Sequence, residues 1–311
     1  MARFSGIKGH KFEGISKFAP DGPRWTGTIR LHEPHLDLPL RWRKPRRIFV
    51  NSISDTFHER VKDDWIDRIF AVMALAPQHT FQVLTKRPKR MLRYLGQFPD
   101  RGFKVFEIAA RIKERRDGPL AKYGMSIKFP LPNVWLGVSV EDQKTADERI
   151  PLLLRTPAAV RWISAEPLLG DLDFKTWLTG ANALNRKYAA QIRAGTVKAS
   201  IEGLDWIVAG GESGPGARPM HPCWARRLRD QCVASGTPYF FKQWGEFCPT
   251  GFCSPGVHEV GKACTMHMRP SQMIRFSDDC EVYRVGKKSA GRLLDGREWN
   301  QYPQTVEAPH A

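Results

Sequence analysis

The sequence predicts an α/β fold built on a parallel sheet, and two observations carry that expectation. Six short apolar runs, rich in β-branched and aromatic residues, are spread through the chain, and most are apolar on both alternations, as strands covered on both faces are. Segments with helical periodicity lie between them. Strands and helices that take turns need crossover connections, and right-handed crossovers lead either to a doubly wound sheet or to a (β/α) barrel.

In chain order the runs are "RRIFVNSIS" (46–54), "TFQVLTKR" (80–87), "NVWLGVSV" (133–140), "VRWISAEPL" (160–168), "DWIVAGG" (205–211) and "PYFFKQWG" (238–245). After the first, "DDWIDRIFAVMALAPQ" places Trp65, Ile66, Ile69, Phe70, Met73 and Ala74 on one helical stripe. Asp63 and Asp64 suit the start of that helix, and Pro77 follows its end. "DQKTADERIPLLLRT" and "CWARRLRDQCVASG" predict further helices, the second with Gly236 placed as its C-cap. Three segments break the rhythm: a basic insertion at 98–130, a polar, partly helical one at 173–203 with Trp177 and Tyr188, and a Gly-, Pro-, Cys- and His-rich one at 246–280. Residues 1–301 read as one domain and 302–311 as a frayed tail.

The chain has 311 residues, 41% of them apolar, which is enough to bury a core without disulfides. No apolar run approaches the roughly 20 residues of a membrane helix. "MARFSGIKGHKFEG" lacks the apolar segment of a secretory signal. The six cysteines form no C-x-x-C pair, so they read as reduced thiols of a cytoplasmic protein. The net charge is +17, with clusters at "RWRKPRR" (41–47), "TKRPKR" (85–90) and "RIKERR" (111–116). Such an excess attracts polyanions, nucleic acid above all; the alternative is a basic surface with no further role.

Both α/β architectures place function at the carboxyl ends of the strands. Here each apolar run closes on unusual polar residues: Asn51-Ser52, Thr85-Lys86-Arg87, Ser139 to Glu141, Ser164 to Glu166, Gly210-Gly211-Glu212-Ser213, and Lys242-Gln243-Trp244. In "GGESG" the glycines permit close backbone approach to a ligand, and Glu212 can accept from an amine or hydroxyl; a tight turn with a solvated glutamate is the alternative. Glu141 and Glu166 suit ribose hydroxyls, amines or acid–base work, or else cap helices or pair with arginines. Asp55 can cap a turn and His58 can cap or face solvent, while Lys86 and Arg87 can bind phosphate or carboxylate or stay solvated. The set Cys248, Cys253, His258, Cys264 and His267 has spacings that match no standard zinc module, so it reads as a loop with reduced thiols, a zinc site being the alternative.

Taken together, "LDLPLRWRKPRRIFVNSISDTFHE", "TFQVLTKRP", "NVWLGVSVEDQ", "ISAEPLLG", "WIVAGGESGPGARPM" and "FKQWGE" resemble the phage Gp37/Gp68 family, from about Arg24 to Glu246, with a further match at "YRVGKKSAGRLLDGREW" (283–299). The family, a domain of unknown function, looks like radical S-adenosylmethionine enzymes. The resemblance therefore implies a (β/α) barrel, S-adenosylmethionine and a four-iron four-sulfur cluster held by an N-terminal three-cysteine motif ending in C-Y-A. It implies a cradle formed by Gly210, Gly211, Glu212 and Ser213 with Ser139, Glu141, Ser164 and Glu166 beside it, and a three-Cys-motif partner protein. Asn51, Ser52, Lys86 and Lys242 complete the candidate set of strand ends.

The sequence departs from that pattern, because no cysteine precedes Cys223. Met1 stands where family members have an internal residue just beyond C-Y-A, so the expectation is a barrel incomplete at its N-terminus, unable to hold the cluster and inactive as written. Two readings follow: a radical S-adenosylmethionine-like protein acting on nucleic acid or a nucleic-acid-bound partner, or a non-catalytic nucleotide- or nucleic-acid-binding barrel. A phage structural protein is the weakest reading, since the sequence has no fibrous repeat to support it.

Overall fold

The computed structural model describes residues 13–19, 22–98, 100–119, 121, 124–178, 203–249 and 273–304. In chain order the elements are β1 (Ser16–Ala19), β2 (Gly22–Trp25), α1 (Glu33–Leu36), a 3-10 turn (Leu38–Arg41), β3 (Arg47–Val50), α2 (Asp63–Ala74), β4 (Thr80–Thr85), α3 (Pro88–Leu95) and α4 (Asp100–Asp117). They continue with β5 (Val134–Ser139), α5 (Gln143–Leu154), β6 (Val160–Ala165), α6 (Lys175–Leu178), β7 (Trp206–Gly210), α7 (Pro222–Ser235), β8 (Tyr239–Gln243), β9 (Phe247–Pro249), β10 (Met273–Arg275), β11 (Glu281–Arg284) and α8 (Lys287–Ala290).

Each of the six apolar runs forms a strand, and these strands make one sheet in the order β3-β4-β5-β6-β7-β8. The order follows the chain without reversal. A doubly wound sheet reverses order at its switch point, so this topology belongs to the barrel-like branch of α/β folds. No helix among the described residues is long and apolar enough to cross a membrane. Two compact units divide the chain, one comprising Met1–Gln82 and Arg93–Val134, the other Val83–Leu92 and Trp135–Ala311.

In the first unit α2 buries Ile66, Phe70, Ala71, Val72 and Met73, as the helical stripe predicts in part. The stripe is rotated from its predicted centre: Trp65, Ile69 and Ala74 are only half-buried, and Asp67 is fully buried in their place. Its burial has a reason. Tyr94 Oη donates to Asp67 Oδ1 at 2.8 Å, and Arg101 Nη1 of α4 reaches the same oxygen at 2.8 Å. Arg101 Nη2 also holds Asp63 Oδ2 at 3.0 Å. Burial, then the Asp67 charge, push the Tyr94 phenol well above its ordinary range, so it stays a donor. The predicted basic insertion thus contributes an 18-residue helix fastened through a buried carboxylate.

In the second unit the parallel register sets residues in rows. On one face of the sheet Gly137 pairs with Trp162 and Trp162 with Trp206. Two residues further along, Ser139 pairs with Ser164, Ser164 with Val208 and Val208 with Phe240. Trp135, Val160, Trp162, Trp206 and Val208 form a buried cluster, with Leu84, Phe240 and Tyr302 against it. Tyr302, at the start of the predicted tail, stacks on Trp206 with ring centroids 5.2 Å apart. A Cβ on Gly137 would lie 2.5 Å from the Trp162 ring, so that glycine makes the space the indole fills.

The opposite face carries Leu136, Val138, Ile163, Ala165, Ile207, Ala209, Tyr239 and Phe241, all buried. Helix α5 starts on a capping box in which Asp142 Oδ1 accepts from Thr145 N at 2.8 Å. Helix α7 ends at Gly236 in the left-handed region, φ 68°, as predicted for its C-cap. Segments 179–202 and 250–272, with Tyr188, Cys253, His258, Cys264 and His267, lie outside the described residues.

Replacing Asp67 by Ala leaves the Tyr94 hydroxyl and one arm of Arg101 without their buried acceptor. Breaking a buried pair typically costs about 3–5 kcal/mol. Asp67→Ala is therefore expected to lower stability by about 3 kcal/mol or more in urea unfolding followed by circular dichroism, whereas Lys104→Ala, whose side chain is half-exposed, is expected to change it by less than about 1 kcal/mol.

Candidate functional site

The rows of the second unit continue past the strand ends. Two residues beyond Ser139 and Ser164 stand Glu141 and Glu166; Gly210 follows two residues after Val208 on β7, and on β8 Lys242 stands at the register shift, one residue before Gln243, the partner of Gly210. Lys86 follows β4. The candidates on five consecutive strand ends thus form the layer above an apolar, tryptophan-rich floor.

Glu141 is 13% exposed and lies 2.5 Å from Lys86 Nζ. Arg149 of α5 adds a contact from Nη1 at 3.1 Å, and the same nitrogen holds the Ser139 carbonyl at 2.6 Å. Glu166, 17% exposed, accepts from Lys242 Nζ at 3.1 Å and from Ser164 Oγ at 3.2 Å. The backbone fixes these carboxylates in one frame: Leu168 N donates to Gly210 O at 3.0 Å and Leu169 N to Glu141 O at 2.8 Å. Ser139 and Ser164 are themselves buried. Both lysines are about half-exposed, at 54% and 53%. Each mostly buried carboxylate is therefore met by a lysine that reaches in from solvent, and Glu141 by Arg149 as well.

The glycines have a specific use. A Cβ on Gly210 would sit 2.6 Å from Glu166 Oε1, so that glycine seats the glutamate. A Cβ on Gly211 would sit 1.9 Å from the Trp244 carbonyl oxygen, and one on Gly245 (φ 87°) would sit 2.2 Å from the Glu212 carbonyl. The close approach that the sequence expects of a ligand is made here by the protein's own backbone, where the tips of β7 and β8 cross. A register shift between Ala209 and Gly210 accompanies that crossing.

Glu212 closes its own loop. Its Oε2 accepts from Arg218 N and Arg218 Nε, both at 2.8 Å, and its Oε1 accepts from Arg218 Nη2 at 3.0 Å. The Arg218 hydrogen bonds hold the Glu212 carboxyl below its usual range. The pair's stabilisation is complete above the ordinary glutamate value of about 4.3 and is lost as pH falls through the lower folded value. Ser213 Oγ accepts from Gln243 Nε2 at 3.0 Å, and Gly214 N donates to Glu246 Oε1 at 3.0 Å. Arg284 Nη2 binds the carbonyls of Gly214 and Pro215 at 2.8 and 2.7 Å. Of the glycine-rich stretch, then, Gly210 serves the Glu166 pair, and residues 211 to 218 form a braced loop.

Asn51 and Ser52 belong to the first unit, where both line a pocket. Asn51 takes φ 56° and donates from Nδ2 to Thr56 Oγ1 at 2.8 Å. Asp55 caps the following turn, its Oδ1 accepting from Phe57 N at 2.8 Å, and His58 Nδ1 accepts from Arg60 N at 3.2 Å. Sequence reasoning missed Arg149, Arg218 and Gly245. Arg149 was findable: it lies eight residues after Glu141, about two helical turns along the predicted helix.

An iron–sulfur cluster needs three thiolates converging on one point. Among the described residues Cys232 and Cys248 are buried, Cys223 and Cys280 are half-buried, and no group of three or more His, Cys, Asp or Glu is placed to hold a metal ion. Burial pushes the Cys232 thiol well above its ordinary range, which makes it an inert core residue. The described residues do not fit the cluster.

Gly211→Ala drives a methyl group into backbone rather than into a movable side chain. Overpacking typically costs about 1–3 kcal/mol, and backbone obstruction belongs at the upper end. Gly216 has open space around its Cβ position. Thermal unfolding should show Gly211→Ala destabilised by about 3 kcal/mol and Gly216→Ala within about 0.5 kcal/mol of the parent. Equal behaviour of the two variants would contradict the close crossing of the β7 and β8 tips.

A family model described as "Protein of unknown function (DUF5131)" matches residues 2–303, and the chain belongs to that family. No curated protein and no solved structure matches it.

Proposed function

We propose that this member of a family of unknown function is a cytoplasmic, barrel-like binding protein whose site is the row Lys86, Glu141, Glu166 and Lys242, and whose ligand is of nucleoside type, bearing amine, hydroxyl and carboxylate groups. One observation carries the reading: two mostly buried carboxylates stand on adjacent strand ends, each paired with a half-exposed lysine, with Arg149 as a second cation at Glu141. A buried carboxylate must keep a partner, because an unpaired one costs several kcal/mol. A ligand ammonium can take the place of the lysine and keep the carboxylate's charge met, and ribose hydroxyls can add hydrogen bonds beside it. The displaced lysine then meets the ligand's carboxylate or phosphate.

S-adenosylmethionine carries that set of groups, and the resemblance to the phage Gp37/Gp68 family implies the same ligand. Glu141 and Glu166 would hold its amine and ribose hydroxyls, and Lys86 and Lys242 its carboxylate. The radical chemistry of that resemblance needs three thiolates converging on one point, a set not found among the described residues, so binding is the reading these residues support. A second reading rests on a separate observation. The +17 charge and the arginines of α4 (Arg111, Arg115 and Arg116) favour a nucleic-acid partner.

Isothermal titration with S-adenosylmethionine, S-adenosylhomocysteine and adenosine tests the site. Affinity should fall about tenfold or more in Glu141→Gln and in Glu166→Gln, the loss expected for a charge-assisted hydrogen bond. If none of the three ligands binds, or if both variants bind like the parent, the proposal fails. For the second reading, gel shifts of single- and double-stranded DNA and RNA should weaken steeply as salt rises.

A further inference from the structure

The first unit holds a cavity of its own, of about 720 Å³, lined by residues between Ile15 and Phe81. We propose that this cavity is a second ligand site, separate from the strand-end row, and that it takes a planar aromatic anion of the nucleoside monophosphate class.

The walls make the case for a planar ring. Trp25, Trp42, Phe49 and Trp65 line the cavity. Trp25 and Phe49 remain 52% and 45% exposed, although each carries a large apolar ring. An exposed indole such as Trp25 among the residues lining a concavity marks a place where another flat apolar surface can be received. Trp42 already accepts a guanidinium on its ring, with Arg46 Cζ 4.6 Å from the centroid, so the π-face chemistry of this wall is in use. The volume lies inside the range of about 300–1,000 Å³ typical of small-molecule sites.

The charges make the case for an anion. Arg30 and Arg60 line the cavity against a single carboxylate, Asp55. Arg60 is fixed: its Nη1 donates to the Gly27 carbonyl at 2.6 Å, and a Cβ on Gly27 would stand 3.3 Å from that nitrogen. The absence of a side chain at position 27 thus lets the guanidinium lie along the wall. Guanidinium groups match phosphate oxygens in planar, bidentate fashion. Ser52 and Ser54 stand among the lining residues and supply hydroxyls that a base or ribose can use and an acyl chain cannot. An aromatic base against the rings and a phosphate at the arginines satisfy both halves of the lining; a neutral lipid or an aliphatic peptide satisfies only one.

The test uses the full chain and adenosine 5′-monophosphate, with adenosine and inorganic phosphate as half-ligands, in isothermal titration and tryptophan-fluorescence quenching. The monophosphate should bind about tenfold or more tightly than either half-ligand, since stacking and charge contribute separately. Trp25→Ala and Arg30→Glu, both at exposed positions, should each weaken it about fivefold or more, within the range for loss of one stacked base or one charge-assisted contact. Ser52→Trp should fill part of the lined space and abolish binding, and circular dichroism checks that these surface variants are folded. Lys104→Ala, on α4 and outside the cavity lining, should leave this affinity unchanged. The inference is overturned if the monophosphate does not bind, if it binds no better than adenosine, or if Glu166→Gln weakens it while Ser52→Trp does not, which would assign the binding to the strand ends instead.

Discussion

The parallel register of β5 to β8 is the constraint on which the strand-end site depends. Once Gly137 lies beside Trp162 and Ser139 beside Ser164, every second residue of each strand is committed to the same face. That face then reads upward as indoles, serines and ionised side chains. A slip of one residue would send Glu141 and Glu166 to the opposite, apolar face and carry Trp135 and Trp162 there with them, breaking the indole cluster. The tryptophan floor therefore does more than fill volume. Burying aromatic rings contributes a large apolar term, and each ring pair about 0.5–1.5 kcal/mol beyond it, so the floor penalises any register that would misplace the carboxylates above it.

The glycines act at the level above. Gly137 gives up its side chain to Trp162, Gly210 to the Glu166 carboxylate, and Gly211 and Gly245 to each other's backbone neighbourhoods. Each is small because a specific protein atom occupies the space. The result is a rigid frame in which only the long, half-exposed lysines can readily change partner. Glu212 differs from its neighbours: held by three hydrogen bonds from one arginine, it stabilises the loop that follows β7.

Much of this was legible in the sequence, and the misses have physical causes. The six strands and the helix ending at Gly236 were readable because apolar periodicity and a left-handed cap are local signals. The polar strand ends were readable because they interrupt apolar runs. Which polar groups meet was not: Lys86 is 55 residues from Glu141 and Lys242 is 76 from Glu166, and the pairing of such distant groups is decided by register. The glycine pair after β7 looks the same in sequence whether a ligand or a neighbouring backbone fills its space. Asp67 was hidden for a related reason. An aspartate on a helix belongs to the polar face until Tyr94 and Arg101, far along the chain, supply a buried partner for it.

The central claim is that Glu141 and Glu166 hold lysines only until a ligand's own donors arrive. A crystal structure of the chain grown with S-adenosylhomocysteine tests it most directly. The account predicts the ligand's amine or ribose hydroxyls within hydrogen-bond distance of Glu141 or Glu166, and Lys86 or Lys242 moved from its carboxylate to the ligand's carboxylate. A ligand seated elsewhere, with both ion pairs intact, would contradict it.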